Sequence, residues 1–165
     1  MDEDVFWAMV QRCHDVSSGD MKEKCKLVIA EIARLSAEDA LAFHQIFQRM
    51  MDAAYAWPLW GAAYVANGGC GDDSFSDFRA SLISRGRAAY ENALADPDSL
   101  ADDTTYIDSW FYEGFQYAIT DGVKAKIGKR PTRAFPHPRS PAGTPWPEKT
   151  VCDLYPRLMQ KVAAS

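Results

Sequence analysis

The sequence predicts an all-α protein, a compact multi-helix single domain. Apolar residues recur at helical spacing along most of the 165 residues, and no region shows the sustained alternation that strands require. A composition of 47% hydrophobic and 12% aromatic residues supplies enough apolar surface for one core. Because this length suits one domain, we expect residues 1–165 to fold as a single helical unit.

Three amphipathic helices are predicted at the start of the chain. The first ends before Ser17, Asp20 caps the second, and Ser36 caps the third. Their apolar stripes are Val5, Phe6, Met9, Val10 and Cys13; then Met21, Cys25, Val28, Ile29, Ile32 and Leu35; then Leu41, Phe43, Ile46, Phe47, Met50, Met51 and Tyr55.

Further helices are expected in the middle of the chain. Pro58 disfavours helical geometry at Trp57, so we expect the chain to break there. A short helix should then resume through Trp60, Ala63, Tyr64 and Val65 and stop at 67–71. Ser74 then opens a helix that Gly86 either terminates or lets pack closely, and 87–94 continues helically. After a turn at 96–99, one strongly apolar helix is predicted from Tyr106, Ile107, Trp110, Phe111, Phe115 and Ile119.

The character of the sequence changes at 128–147, which we expect to form an extended arm. Six of the nine prolines fall in this segment, and proline removes the backbone donor that regular structure needs. A final helix follows, with Pro156 early in it or at a kink. Its apolar side needs the main body, so we expect this C-terminal helix to pack back on the core.

Charge and cysteine content narrow the classes of function. A net charge of −5 disfavours a general binder of nucleic acid, which needs an excess of Lys and Arg. An acidic N-terminus and the lack of a long apolar run predict no signal peptide and no membrane span, hence a cytoplasmic protein. The four cysteines are widely spaced and are expected to be reduced. No pattern calls for a cofactor or a resident metal.

The densest local pattern runs from Trp57 to Arg79. It contains Trp-Gly-Ala-Ala-Tyr at 60–64, Gly-Gly-Cys-Gly-Asp-Asp-Ser-Phe at 68–75 and Phe-Arg at 78–79. In these motifs the chain resembles the bacterial family known as domain of unknown function 4240. The resemblance is close from Trp57 to about Leu100 and weaker elsewhere. It implies a compact helical fold and a bacterial source, and it carries over no activity, ligand or catalytic residue.

The loop at 67–74 has a structural interpretation. Asp73 or Ser74 caps the next helix, Asp72 lies favourably at the positive end of its dipole, and Arg79 pairs with an aspartate. Tryptophans such as Trp60 are in the first place core residues.

Two chemical interpretations of the same loop remain open. The carboxylates of Asp72, Asp73 and Asp77 are candidates for a divalent-metal or cationic-ligand site. Alternatively, the helix N-terminus activates Cys70 as a nucleophile, with His14, His44 or His137 as the general base.

Two functions follow from these patterns. The first is a non-catalytic protein-binding or regulatory domain, such as the antidote of a toxin, with a protein partner. The second is a small enzyme or ligand-binding domain centred on 67–79, with Asp72 or Asp73 as base or ligand and Arg79 holding an anion. The candidate binding residues are Trp60, Asn67, Cys70, Asp72, Asp73 and Arg79.

Overall fold

The computed structural model describes residues 1–165, and its regular structure is helical throughout. The α-helices are α1 (Glu3–Val16), α2 (Met21–Arg34), α3 (Ala37–Ala53), α4 (Trp57–Asn67), α5 (Asp72–Ile83), α6 (Arg87–Ala95), α7 (Phe115–Ile127) and α8 (Pro156–Ala163). Short 3₁₀ turns occupy Pro97–Asp102, Ile107–Phe111 and Val151–Leu154. The predicted all-α class is therefore confirmed.

The helices enclose one continuous hydrophobic core. Helix α7 packs against α2 and α3, and α1 contacts the same two helices. Helix α5 lies against α3, α6 and α7, and α8 packs on α4 and the 3₁₀ turn at Pro97–Asp102. None of these helices combines the length and the apolarity needed to cross a bilayer.

Local signals set most of the helix ends. The carboxylate of Asp20 accepts from the backbone N–H of Glu23 at 2.8 Å, and Ser36 Oγ accepts from that of Asp39 at 3.0 Å, as the sequence predicts. Pro58 lies in the first turn of α4, and Gly68, with φ of 64°, ends that helix. Gly86, with φ of 98°, is the N-cap residue of α6.

Three predicted details are wrong. On α2, Ile29 is exposed and Lys24 is buried instead, because Met21, Lys24, Val28 and Ile32 form the line that faces the other helices. Helix α5 begins at Asp72 rather than at Ser74. The single helix predicted from Tyr106 onward is interrupted at 112–114, because Trp110 enters the core from a 3₁₀ turn while α7 lies against α2 and α3.

The proline-rich arm is extended, and it is attached to the helical body. Backbone hydrogen bonds join Ala142 to Tyr55 and Trp57, at 2.9 Å and 2.8 Å. Trp146 Nε1 donates to the carbonyl of Trp57 at 2.8 Å. Beyond the arm, Leu158 of α8 is fully buried in the core, so the C-terminal helix packs back on the body as expected.

Candidate functional site

The loop between α4 and α5 is held by its own polar groups. The indole Nε1 of Trp60 donates to the carbonyl of Cys70 at 2.8 Å, and Asn67 Nδ2 donates to the carbonyl of Gly69 at 3.0 Å. Trp60 also stacks on Phe75, with ring centroids 4.8 Å apart and planes 13° apart. Trp60 and Asn67, two of the candidate binding residues, thus fix the path of the backbone into α5.

Cys70 lies in an environment that disfavours a thiolate. Burial raises the pKa of its thiol to about 12 and outweighs the indole of Trp60 and the charge of Arg79, which favour the thiolate. None of the three histidines hydrogen-bonds to it, since their ring nitrogens contact Lys24, Gln48 and the carbonyl of Pro138. An activated thiol requires the opposite setting, a lowered pKa and a base within reach.

Asp72 and Asp73 lie exposed in the first turn of α5. The predicted side-chain cap is wrong, because Gly71 occupies the N-cap position and no side chain there bonds to the helix backbone. The two carboxylates remain in the turn where the helix dipole favours negative charge. No three His, Cys, Asp or Glu side chains lie close enough together to hold one metal ion.

Asp73 is also part of an acidic cleft between α5 and the start of α7. The cleft has a volume of about 510 Å³, and Asp77 and Glu113 line it together with Asp73. Gln116 Nε2 donates to Asp77 at 3.0 Å, yet burial and then the charges of Glu113 and Asp73 raise the pKa of Asp77. None of the three carboxylates forms an ion pair.

Arg79 lies away from these carboxylates, inside the protein. Its Nη1 donates to the carbonyl of Met51 at 2.7 Å and its Nε to that of Phe75 at 3.3 Å. The guanidinium lies 4.9 Å from the ring centroids of both Tyr55 and Phe75. The predicted ion pair with an aspartate is wrong, because Arg79 uses backbone carbonyls and aromatic faces instead.

Arg79 lines a different cavity, of about 190 Å³, which neither Asp72 nor Asp73 borders. Its other polar walls come from α3, α7 and the arm: Gln48 and Asp52, Gln116, and Arg133 and His137. Of the residues that line this cavity, only Arg79 was among the candidate binding residues predicted from the sequence. The others carry no local motif, because segments far apart in the sequence supply them.

Comparison with known proteins adds a family and no activity. The model of the family described as "Protein of unknown function (DUF4240)" matches residues 1–123. This match includes the loop, Arg79 and most of α7, whereas the arm and α8 lie outside it. No curated protein and no solved structure matches the chain.

The match covers far more than half of the chain, and it confirms the resemblance noted in the motifs between Trp57 and Arg79. The protein is therefore a member of the DUF4240 family.

Proposed function

We propose that the chain is a non-catalytic protein-binding domain that takes a basic segment of its partner into the acidic cleft of Asp73, Asp77 and Glu113. Regulators and toxin antidotes are members of this class. The observation that carries the proposal is the convergence of three unpaired carboxylates on one cleft of about 510 Å³. A cleft of this shape and charge matches a Lys or Arg side chain presented by another protein.

The electrostatics of Asp77 support a cationic occupant. Its pKa is raised by burial and by its like-charged neighbours Glu113 and Asp73, so the ionised cleft is strained by mutual repulsion. A bound ammonium or guanidinium group would relieve that repulsion at all three carboxylates. Because no protein cation lies within ion-pair distance of the cleft, the charge is available to a partner.

Some carboxylates elsewhere on the surface have basic partners. Arg87 binds Asp4 and Glu91, Arg12 and Arg34 bind Glu31, and Arg157 binds Asp102. The cleft therefore differs from these regions in charge balance and in its concave shape.

The rim of the cleft has the composition of a contact surface. Tyr117, on α7, is 51% exposed and lines the cleft beside Ser74. Tyrosine is enriched at protein interfaces because it offers apolar area with a polar tip. Asp72 extends the negative surface at the start of α5, while Trp60, Asn67 and Cys70 act indirectly, by holding the loop that positions this helix.

A site-specific photo-crosslinking experiment in the native host tests this proposal. A crosslinking amino acid replaces Tyr117 in one variant and Val16, which is exposed on α1 outside the cleft, in another. We expect one defined protein to crosslink from position 117 and not from position 16. We also expect the captured protein to contact the cleft through a Lys- or Arg-rich segment, identified by mass spectrometry of the crosslinked peptide.

Charge-neutral variants provide the control. Asp73→Asn, Asp77→Asn and Glu113→Gln together should lower the crosslink yield at least about tenfold, because close charge pairs across an interface contribute about 1.5 kcal/mol or more. The matched triple Glu38→Gln, Asp108→Asn and Asp153→Asn alters net charge equally at exposed positions outside the cleft and should keep the yield. No crosslink from 117, identical products from 16 and 117, or equal loss in both triples contradicts the proposal.

A further inference from the structure

Helix α7 presents an exposed stripe whose two ends carry opposite charges. Tyr117, Asp121 and Lys124 are exposed and follow one another at intervals of three or four positions, so they share one face of the helix. Glu113, exposed just before the helix, extends this face into the acidic cleft, and Lys129 follows the helix at its other end. The stripe is thus acidic at its start and basic at its end.

The basic end of the stripe has no counter-charge within the chain. Lys124, Lys129 and Arg130 are exposed and form no ion pair. The sequence contains no Asp or Glu from Gly122 to Pro147, which could have neutralised them locally. Charges of both signs are therefore left unpaired at the two ends of one helix.

The length of α7 prevents the two ends from neutralising each other. Thirteen residues at 1.5 Å per residue make a helix about 20 Å long, which exceeds the Debye length of about 8 Å at physiological ionic strength. A second molecule can bring the opposite charges into contact, whereas a single molecule cannot.

We propose that two copies of this chain pair through the α7 stripe, antiparallel and about a two-fold axis, so that the basic end of each copy enters the acidic cleft of the other. The inference rests on the proposed function of the cleft and names its partner. The antiparallel arrangement is self-complementary and closes after two copies, as two-fold interfaces do. A parallel arrangement places like charges against each other.

The position of the charges sets the register of the pair. With the axis midway between Tyr117 and Lys124, Tyr117 of one copy faces Lys124 of the second copy. The phenol ring, which is 51% exposed, then offers its face to an ammonium group. In the same register Glu113 lies next to Lys129 of the second copy, and the two helix dipoles run in opposite directions.

Sedimentation equilibrium of the full wild-type chain tests the pairing first. We expect a monomer–dimer equilibrium with a Kd of about 0.1 mM or tighter in about 0.1 M salt. In about 1 M salt the Debye length falls from about 10 Å to about 3 Å, so the Kd should rise at least about tenfold.

Charge reversal gives a sharper test, because two variants that fail alone should combine. Asp73→Lys with Glu113→Lys makes the cleft basic, and Lys124→Glu with Lys129→Glu makes the other end acidic. Each variant alone brings like charges together at both contacts and should be monomeric. An equimolar mixture restores opposite charges at both contacts and should form a one-to-one heterodimer.

Two control variants change net charge equally at exposed positions outside the stripe and the cleft. They are Glu38→Lys with Asp153→Lys, and Arg139→Glu with Lys149→Glu. Both should dimerise as wild type does. If a charge-reversed variant does not fold, as judged by circular dichroism, the wild-type Kd and its salt dependence decide alone.

The proposal is overturned if wild type is monomeric at about 1 mM chain in about 0.1 M salt, or if its Kd is independent of salt. It is also overturned if both folded charge-reversed variants still dimerise alone, or if their mixture forms no heterodimer. Capture of a different protein from position 117 in the host, with a monomeric wild type in solution, overturns the self-pairing and leaves the protein-binding proposal standing.

Discussion

At the scale of single residues, the charges buried away from both clefts are the least expected feature. Lys24 is 1% exposed, and its Nζ contacts His14 Nδ1 at 3.0 Å and Ser84 Oγ at 3.1 Å, with no carboxylate within reach. Arg85 lies close by and pairs with Asp103 at 2.5 Å. Burial and then the charge of Arg85 lower the pKa of Lys24 to about 8.

The lowered pKa of Lys24 makes stability depend on pH in a defined direction. Between about pH 8 and the usual lysine value of 10.5, the unfolded chain binds more protons than the folded chain, so the free energy of unfolding rises with pH. Across this pH interval the free energy of unfolding rises by about 3 kcal/mol, at about 1.4 kcal/mol per pH unit. Lys24→Met removes this dependence. The free energy of unfolding of the variant, relative to that of wild type, should therefore be highest near pH 7 and decline toward pH 10.

Urea unfolding of both proteins between about pH 7 and pH 10 measures the difference. The comparison is needed because burial raises the pKa of Cys13 to about 11, which lowers stability as pH rises above the usual thiol range in both proteins. Parallel stability curves for wild type and Lys24→Met would show that Lys24 is not buried as a charged amine.

At the scale of elements, the arm and α8 are attached to the start of α4. Tyr155 Oη donates to the carbonyl of Pro58 at 2.5 Å, and the indole of Trp146 reaches the carbonyl of Trp57. Both rings pass over Gly61, where a Cβ atom would lie 2.4 Å from Tyr155 Oη and 2.9 Å from Trp146 Nε1. Only glycine at this position lets the three elements approach so closely.

We expect Gly61→Ala to destabilise the protein by about 2 kcal/mol, within the range found for overpacked cores. The added methyl group displaces two hydrogen-bonded aromatic rings, so the arm should detach first. Limited trypsin digestion, followed at Arg139 and Lys149, should show faster cleavage than in wild type.

Gly71→Ala is the matched control, because no atom lies within 4 Å of a Cβ at that position and its φ is −81°. Its unfolding free energy should fall by less than about 1 kcal/mol, the cost of alanine at the N-cap of α5, and its cleavage pattern should stay close to that of wild type. Equal stability of Gly61→Ala and wild type would argue against the close packing of α4, the arm and α8.

At the scale of the whole molecule, the family match and the physical core have different extents. The match ends at residue 123, yet Val151, Tyr155 and Leu158 are buried in the same hydrophobic cluster as the earlier helices. The cavity lined by Arg79 likewise includes Arg133 and His137 in its walls. The helical body and the C-terminal segment therefore share one hydrophobic cluster.

A chain of residues 1–127 should accordingly lose the cooperative unfolding that we expect of the full chain. Removing the arm and α8 exposes the apolar surface of α4 and removes Arg133, the partner of Asp52. Thermal unfolding followed by circular dichroism and calorimetry measures the effect. A sharp single transition in the shortened chain would identify residues 1–127 as an independent domain and contradict a single unit of 1–165.

Much of the fold was predictable because its signals are local. The caps at Asp20 and Ser36, the break at Pro58 and the proline-rich arm each depend on residues a few positions apart. The division near 112–114 and the burial of Lys24 were not predictable, because each depends on which neighbour packs against that segment. The loop of Asp72 and Asp73 was found from its motif, while the placement of Arg79 in a separate cavity was not.

The sequence by itself determined the helical class, the order of the elements, the extended arm and the family, since periodicity, capping and a dense motif are properties of short segments. Only the tertiary structure decided which charges share a cavity. It brings Asp73 together with Glu113, and Arg79 together with Asp52, Gln116 and Arg133, because the packing of α3, α5, α7 and the arm joins positions that no spacing rule connects.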